Sequence, residues 1–182
     1  MDTTRREMLA GTMAVAATAA VSTPVSAASG KVGNVLDDHD ALGLAELVKT
    51  KQVSASELLE AAIARAEKLN PKYNFMAHKL YDRARAAVKQ GLPEGPFQGV
   101  PWLIKDLNTN IAGELTEQGS RLFKGNRATI SSELVKRYER AGLVIFGKTT
   151  SPEFGLTATT ESKLMGDTRN PWDPTRSTGG SS

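Results

Sequence analysis

The sequence predicts an α/β fold, and three observations carry that prediction. Ser54 and Glu57 form an S-x-x-E capping box at the head of a run whose apolar residues recur at helical spacing. Val100 to Ile104 and Leu143 to Phe146 are compact apolar runs of strand length. A second helical-period stretch, Ser132 to Ala141, lies between those two runs, so helix and strand alternate along the chain.

Taken in order, Ala41 to Lys49 reads as a short helix with Leu42, Ala45, Leu47 and Val48 apolar. Beyond the capping box, Leu59, Ala62, Ile63, Ala66 and Leu69 keep helical spacing until Asn70-Pro71, where the run is expected to stop. Asn74 to Ala77 is a candidate short strand, and Leu80 to Gln90 another helix. Pro93 to Gly99 is a turn-rich break before the strand Val100 to Lys105, and Gly113 to Asn126 reads as irregular. The helix from Ser132 to Ala141 should turn Leu134, Val135, Tyr138 and Ala141 inward, with Gly142 capping its end. Leu143 to Phe146 is the second apolar strand. From Gly147 onward, Gly, Pro, Ser, Thr and Asn dominate and the chain reads as loop. There is no internal repeat. A sheet followed by a long loop-rich tail reads as unfinished. The chain is therefore expected to be truncated, with Val100 to Ile104 and Leu143 to Phe146 left unpaired or exposed.

Composition narrows the function classes. With 40% hydrophobic and 24% charged residues, the chain has the make-up of an ordinary globular protein. Its net charge of +3 is spread over interspersed basic and acidic residues, so no block points to nucleic acid or to a membrane surface. The absence of cysteine excludes disulfides, thiolate nucleophiles and cysteine-ligated metals.

The first residues read as a leader rather than as part of the fold. Arg5-Arg6 precedes an apolar run from Met8 to Val21, shorter than the ~20 residues of a spanning helix. Val25-Ser26-Ala27 then offers a small-residue exit before Ala28. The expectation is a twin-arginine export signal over 1–27, a polar linker over 28–40, and a periplasmic or secreted location without a stable membrane anchor. A plain N-terminal arm is the other reading.

Three features compete for attention as chemistry. Gly142-Leu143-Val144-Ile145-Phe146-Gly147-Lys148-Thr149 matches the phosphate-binding pattern G-x-x-x-x-G-K-[ST]. Its four middle residues suit a buried strand rather than a loop around phosphate, and Pro152 follows where a helix should open. The strand reading is preferred. Lys105 closes an otherwise apolar strand, and alternation places it with Pro101 and Leu103, opposite Val100, Trp102 and Ile104. It is either a strand-end surface residue or a desolvated amine whose lowered pKa makes it a base. Gly179-Gly180-Ser181-Ser182 taken alone is equally well a flexible linker.

The stretch joining these pieces resembles the amidase signature family. The matching text begins with Gly99-Val-Pro-Trp-Leu-Ile-Lys105-Asp106 and Thr116-Glu117-Gln118-Gly119-Ser120. It continues with Ala141-Gly142 and with Gly147-Lys148-Thr149-Thr150-Ser151-Pro152-Glu153-Phe154-Gly155. Gly166-Asp167-Thr168-Arg169-Asn170-Pro171-Trp172-Asp173-Pro174 and Gly179-Gly180-Ser181-Ser182 complete it. The resemblance implies a mixed β-sheet flanked by helices, with residues 41–182 as its N-terminal, incomplete part.

It also implies hydrolysis of amide carbon–nitrogen bonds through a Ser–cis-Ser–Lys triad without a cofactor or metal. Lys105 then resembles the catalytic lysine and Ser181 the bridging serine, with Gly180 and Ser182 as supporting candidates. The nucleophilic serine would lie beyond Ser182, so these 182 residues alone are expected to be inactive. Thr150 stands where many members carry Asn, and His39 and His78 fall outside the motifs as solvated or satisfied side chains. Gly166 to Asn170 and Asp173 are expected to shape a loop. The implied partner is a small-molecule amide, leaning toward cyclic amides of the 6-aminohexanoate-dimer type, with no nucleic acid and with room for a homo-oligomer. The rivals are a glutaminase-type component of a tRNA-dependent amidotransferase and a non-catalytic remnant.

Overall fold

The computed structural model describes residues 35–181; the expected export signal and Ser182 lie outside the described residues. Within the stretch read as a polar linker, residues 35–38 are helical. Val35 and Leu36 pack there against the cluster of Leu44, Ala45, Leu58, Val100 and Leu143, which removes their apolar surface from water.

Helix α1 (Ala41–Lys49) begins where the Asp40 carboxylate accepts a hydrogen bond from Gly43 N at 2.8 Å. Helix α2 (Ala55–Tyr73) carries the predicted box. Glu57 N donates to Ser54 Oγ at 3.1 Å, and Ser54 N donates to the Glu57 carboxylate at 2.8 Å. The helix does not stop at Asn70-Pro71 but runs on to Tyr73. Proline removes one helical N–H, yet Asn70 Oδ1 accepts from Phe75 N at 2.9 Å and from Met76 N at 2.8 Å, which holds the extra turn. Asn74 closes it in the left-handed conformation, at φ 51°. The next strand therefore starts later than expected, as β1 (Met76–Lys79), followed by α3 (Tyr81–Gln90).

Strand β2 (Pro101–Lys105), helix α4 (Glu133–Arg140) and strand β3 (Val144–Thr149) form a parallel β-α-β unit. Strand β1 joins the far side of β3 antiparallel, giving a mixed sheet of order β1-β3-β2. Helices α2 and α3 pack Leu59, Ile63, Ala66 and Ala84 against Val144 and Phe146. On the opposite face α4 brings Val135 against Ile104 and Ile145. Only Val135 and Tyr138 of α4 face that cluster. Leu134, expected inward, is 46% exposed because this short helix presents a single narrow stripe.

Strand β3 continues through Gly147, Lys148 and Thr149, a stretch that reads as loop. A Cβ on Gly147 would strike the Met76 side chain, so glycine is what lets β1 close on β3 there. With β3 paired on both sides and buried from Val144 to Lys148, the expectation of unpaired, exposed strands fails. It survives only for the outer edge of β2, which has no strand partner among the described residues.

The tail is loop-rich as expected but stitched down. Strands β4 (Glu161–Ser162) and β5 (Gly166–Asp167) form a small hairpin. Thr168 N donates to Thr160 O at 2.9 Å, and Arg169 N donates to Tyr73 O at 2.8 Å. Among the described residues no helix is long and apolar enough to cross a membrane.

Candidate active site

Both candidate groups meet at the carboxyl end of β2. Lys105 is the last residue of β2, and its Nζ donates a hydrogen bond to Ser181 Oγ at 3.0 Å. The residues are 76 positions apart in sequence, so only the fold brings them together. The lysine is half-buried, and desolvation pushes its ammonium below the ordinary value of 10.5. An amine freed of its proton can accept one from the hydroxyl it touches.

Ser181 reaches that position because glycines let the backbone pass close to its neighbours. A Cβ on Gly180 would lie 2.8 Å from Pro152 Cγ and 3.1 Å from Thr160 Oγ1. Gly155, at φ 70°, faces Ser181 Oγ so closely that a Cβ there would lie 3.2 Å from it. Thr160 Oγ1 donates to Gly179 O at 2.7 Å, and Thr160 N donates to Ser177 Oγ at 3.0 Å, which fixes the approach. The Gly180–Ser181 peptide is cis. Ser182 lies outside the described residues.

Behind Lys105 stands a buried polar cluster that the sequence motifs do not assign. Asp106 is 1% exposed, and its Oδ2 accepts from Glu117 N and Gln118 N, each at 3.0 Å, with His78 Nε2 at 3.2 Å. Its Oδ1 faces Lys148 Nζ at 3.4 Å. Lys148 is fully buried and also donates to Leu115 O and Thr116 Oγ1, both at 2.7 Å. Burial pushes the Lys148 ammonium down, and Asp106 partly offsets this. One signal for the cluster is present in the sequence: a lysine that continues a buried apolar strand has no route to water and needs an anion. The lysine of the phosphate-loop-like pattern is thus spent on Asp106, in a strand.

The other singled-out residues behave structurally. His39 is exposed, whereas His78 is buried and satisfied by Asp106, with Glu117 Oε2 at 3.6 Å. Thr150 Oγ1 lies 2.7 Å from Thr168 Oγ1, which donates to Asn74 O at 2.8 Å, so the hydroxyl ties the end of β3 to the tail. Asn170 accepts from Trp172 N at 2.9 Å, and Asp173 accepts from Thr175 N at 3.1 Å, both shaping their loop. Among the described residues no group of three His, Asp or Glu side chains is placed to hold a metal ion.

Comparison with known proteins identifies the family. The family described as Amidase matches residues 57–182. The 6-aminohexanoate-cyclic-dimer hydrolase of Paenarthrobacter ureafaciens is 43% identical over 146 residues, covering 79% of this chain and 29% of its own. A solved structure of 6-aminohexanoate cyclic dimer hydrolase complexed with substrate superposes with a TM-score of 0.75 at 41% identity. That match covers 79% of this chain and 30% of the other. A glutamyl-tRNA(Gln) amidotransferase component from Lachnospira eligens is 38% identical, covering 80% of this chain and 31% of its own. The chain thus spans about a third or less of the length of these relatives. A family match over well more than half of the chain, on a mixed sheet whose lysine and serine meet at its carboxyl edge, leads to one conclusion: the chain belongs to the amidase signature family.

Proposed function

We propose that this chain supplies two members of a Ser–cis-Ser–Lys relay for hydrolysing amide carbon–nitrogen bonds, with Lys105 as the base and Ser181 as the bridge. The observation that carries the reading is the 3.0 Å contact between Lys105 Nζ and Ser181 Oγ at a half-buried amine. A neutral Lys105 takes the Ser181 hydroxyl proton as Ser181 takes one from a nucleophilic serine outside these 182 residues. That serine's oxygen bonds the amide carbon, and the carbon–nitrogen bond breaks as the nitrogen receives the proton back from the relay. Water then releases the acid from the acyl-enzyme by the same proton path in reverse. Gly180 supports the bridge by its lack of a side chain, and Ser182 is its neighbour in sequence. No cofactor enters this chemistry.

The substrate class we favour is a small amide, with cyclic amides foremost, because identity is higher to the cyclic-dimer hydrolase than to the amidotransferase component, 43% against 38%. An exported protein would also be separated from tRNA. The leader reading stands with this proposal: cleavage after Ala27 and export through Arg5-Arg6. Mass spectrometry of the periplasmic fraction should find Ala28 as the first residue, and replacing both arginines by lysine should block export. An intact Met1 terminus in that fraction would refute it. For the catalytic reading, a full-length chain carrying these residues should release amine from a cyclic amide, and Lys105→Ala should abolish most of it. A fully active Lys105→Ala enzyme would overturn the relay.

A further inference from the structure

The Lys105–Ser181 contact joins two segments with no regular hydrogen-bonded pairing between them, so something else must hold both in register. The buried Asp106 links the two, by adjacency to Lys105 and through intervening segments to Ser181. It follows Lys105 directly, and its own N–H donates to Thr149 O at 2.9 Å, extending the β2–β3 ladder by one residue. The Thr109 hydroxyl donates to the Lys105 carbonyl, pinning the same backbone from the other side.

Toward Ser181, Asp106 Oδ2 accepts from Gln118 N at 3.0 Å, and Gln118 O accepts from Phe154 N at 3.0 Å. Phe154 is followed by Gly155, the residue packed against Ser181 Oγ. Gln118 and Phe154 both sit in the left-handed region, at φ 51° and 53°, a conformation that non-glycine residues keep only where their surroundings over-determine it. Ser151 lies under this turn, its carbonyl 2.6 Å from where a Gly119 Cβ would be.

We propose that Asp106, held by Lys148, is a positioning residue that keeps Lys105 and Ser181 within hydrogen-bonding reach of one another. The inference rests on the relay reading of those two residues. Lys148 fixes the carboxylate rotamer and, through Leu115 O and Thr116 Oγ1, clamps the segment that delivers Gln118. Replacing the aspartate would leave Gln118 N and Glu117 N without their acceptor and free the loop that leads to Ser181. The other titratable groups facing Asp106 are His78 and, beyond it, Glu117, and neither touches Lys105.

The test is the coupling between Lys105 and Ser181, read without any turnover. In the 182-residue chain with 13Cε-labelled lysine, the Lys105 titration is followed by NMR with and without Ser181→Ala. In the otherwise unaltered chain, Ser181→Ala should displace the Lys105 titration by ~0.5 pH unit or more, as expected for loss of a direct hydrogen bond. In Asp106→Leu/Lys148→Met, which removes both buried charges and the acceptor of Glu117 N and Gln118 N together, the same Ser181→Ala change should displace it by less than a quarter as much. Circular dichroism establishes that the compared chains are folded. If the double variant does not fold, Lys148→Met alone is used, since Asp106 there keeps both backbone donors and His78, and the coupling should fall by about half. Coupling that survives intact in either folded variant overturns the positioning role and leaves the relay standing. Absence of coupling in the unaltered chain overturns the relay reading itself.

Discussion

Lys105 and Lys148 end up on neighbouring strands, one register step apart, and burial pushes both ammoniums down, yet only Lys148 has a carboxylate that partly offsets the push. Lys148 pairs across the ladder with Ile104 and finds a carboxylate in the core; Lys105 pairs with Thr149 and finds a hydroxyl. A carboxylate partner favours the charged ammonium, whereas desolvation beside a neutral hydroxyl favours the free amine. The pH dependence follows from that sign. The relay needs Lys105 neutral, so turnover in a full-length chain should be lost at low pH and rise through an inflection below 10.5, the ordinary lysine value. A rate that falls across that range, measured as kcat/KM against pH, would rule Lys105 out as the base. Lys105→Ala should cost at least ~10²-fold in kcat, the scale of a positioned base. Lys148→Ala should act on stability as well as on positioning. It leaves a 1% exposed carboxylate without its counter-ion and opens a cavity, and should destabilise the chain by about 3–5 kcal/mol in urea titration. A loss under about 1 kcal/mol would show that Asp106 does not depend on Lys148 as its counter-ion.

At the scale of the element, what the sequence discloses depends on whether the deciding partner is local. The α2 start is legible because both halves of its capping box lie within three residues, and the observed bonds at 2.8 and 3.1 Å are those the pattern requires. Ser54→Ala should therefore weaken the fold by about 1 kcal/mol, seen as a lower urea midpoint; an unchanged midpoint would mean the first turn is held by packing alone. The α2 end is not legible in the same way, because the groups that sustain the turn past Pro71 include Phe75 and Met76 N–H donors from the chain that follows it. The β3 extension is hidden for a more distant reason. Gly147 and Lys148 look like loop residues until Met76 fills the space over one and Asp106 neutralises the other. The Lys105 side of the site is readable from its place at the end of an apolar strand. Ser181 is readable only through family resemblance, since nothing local distinguishes Gly-Gly-Ser-Ser from a linker.

For the whole molecule, the chain holds a closed local core and an open site. Among the described residues three clusters are buried between the helices and the mixed sheet, yet Leu122, Ile130, Leu156 and Trp172 are 73% to 90% exposed, all in segments outside α-helices and strands. Solvent-facing side chains of this size are ordinary when they occur singly. Here four of them fall on irregular segments among the described residues. Catalysis should divide in the same way. A positioned base contributes roughly 10²–10⁴-fold, whereas enzymes reach about 10⁶-fold and beyond over the uncatalysed reaction. The difference must come from covalent capture of the acyl group and from N–H donors to the oxyanion, and the proposed relay places its acyl-forming serine outside these residues. The 182-residue chain should accordingly hydrolyse no amide above background, while a full-length chain containing it turns over. The assay is release of aniline from a chromogenic anilide and of amine from a cyclic amide, run on both proteins at equal concentration. Turnover by the purified 182-residue chain that survives Ser181→Ala would mean the working nucleophile is already among its residues, and the proposed division of labour between Lys105, Ser181 and an external serine would be wrong.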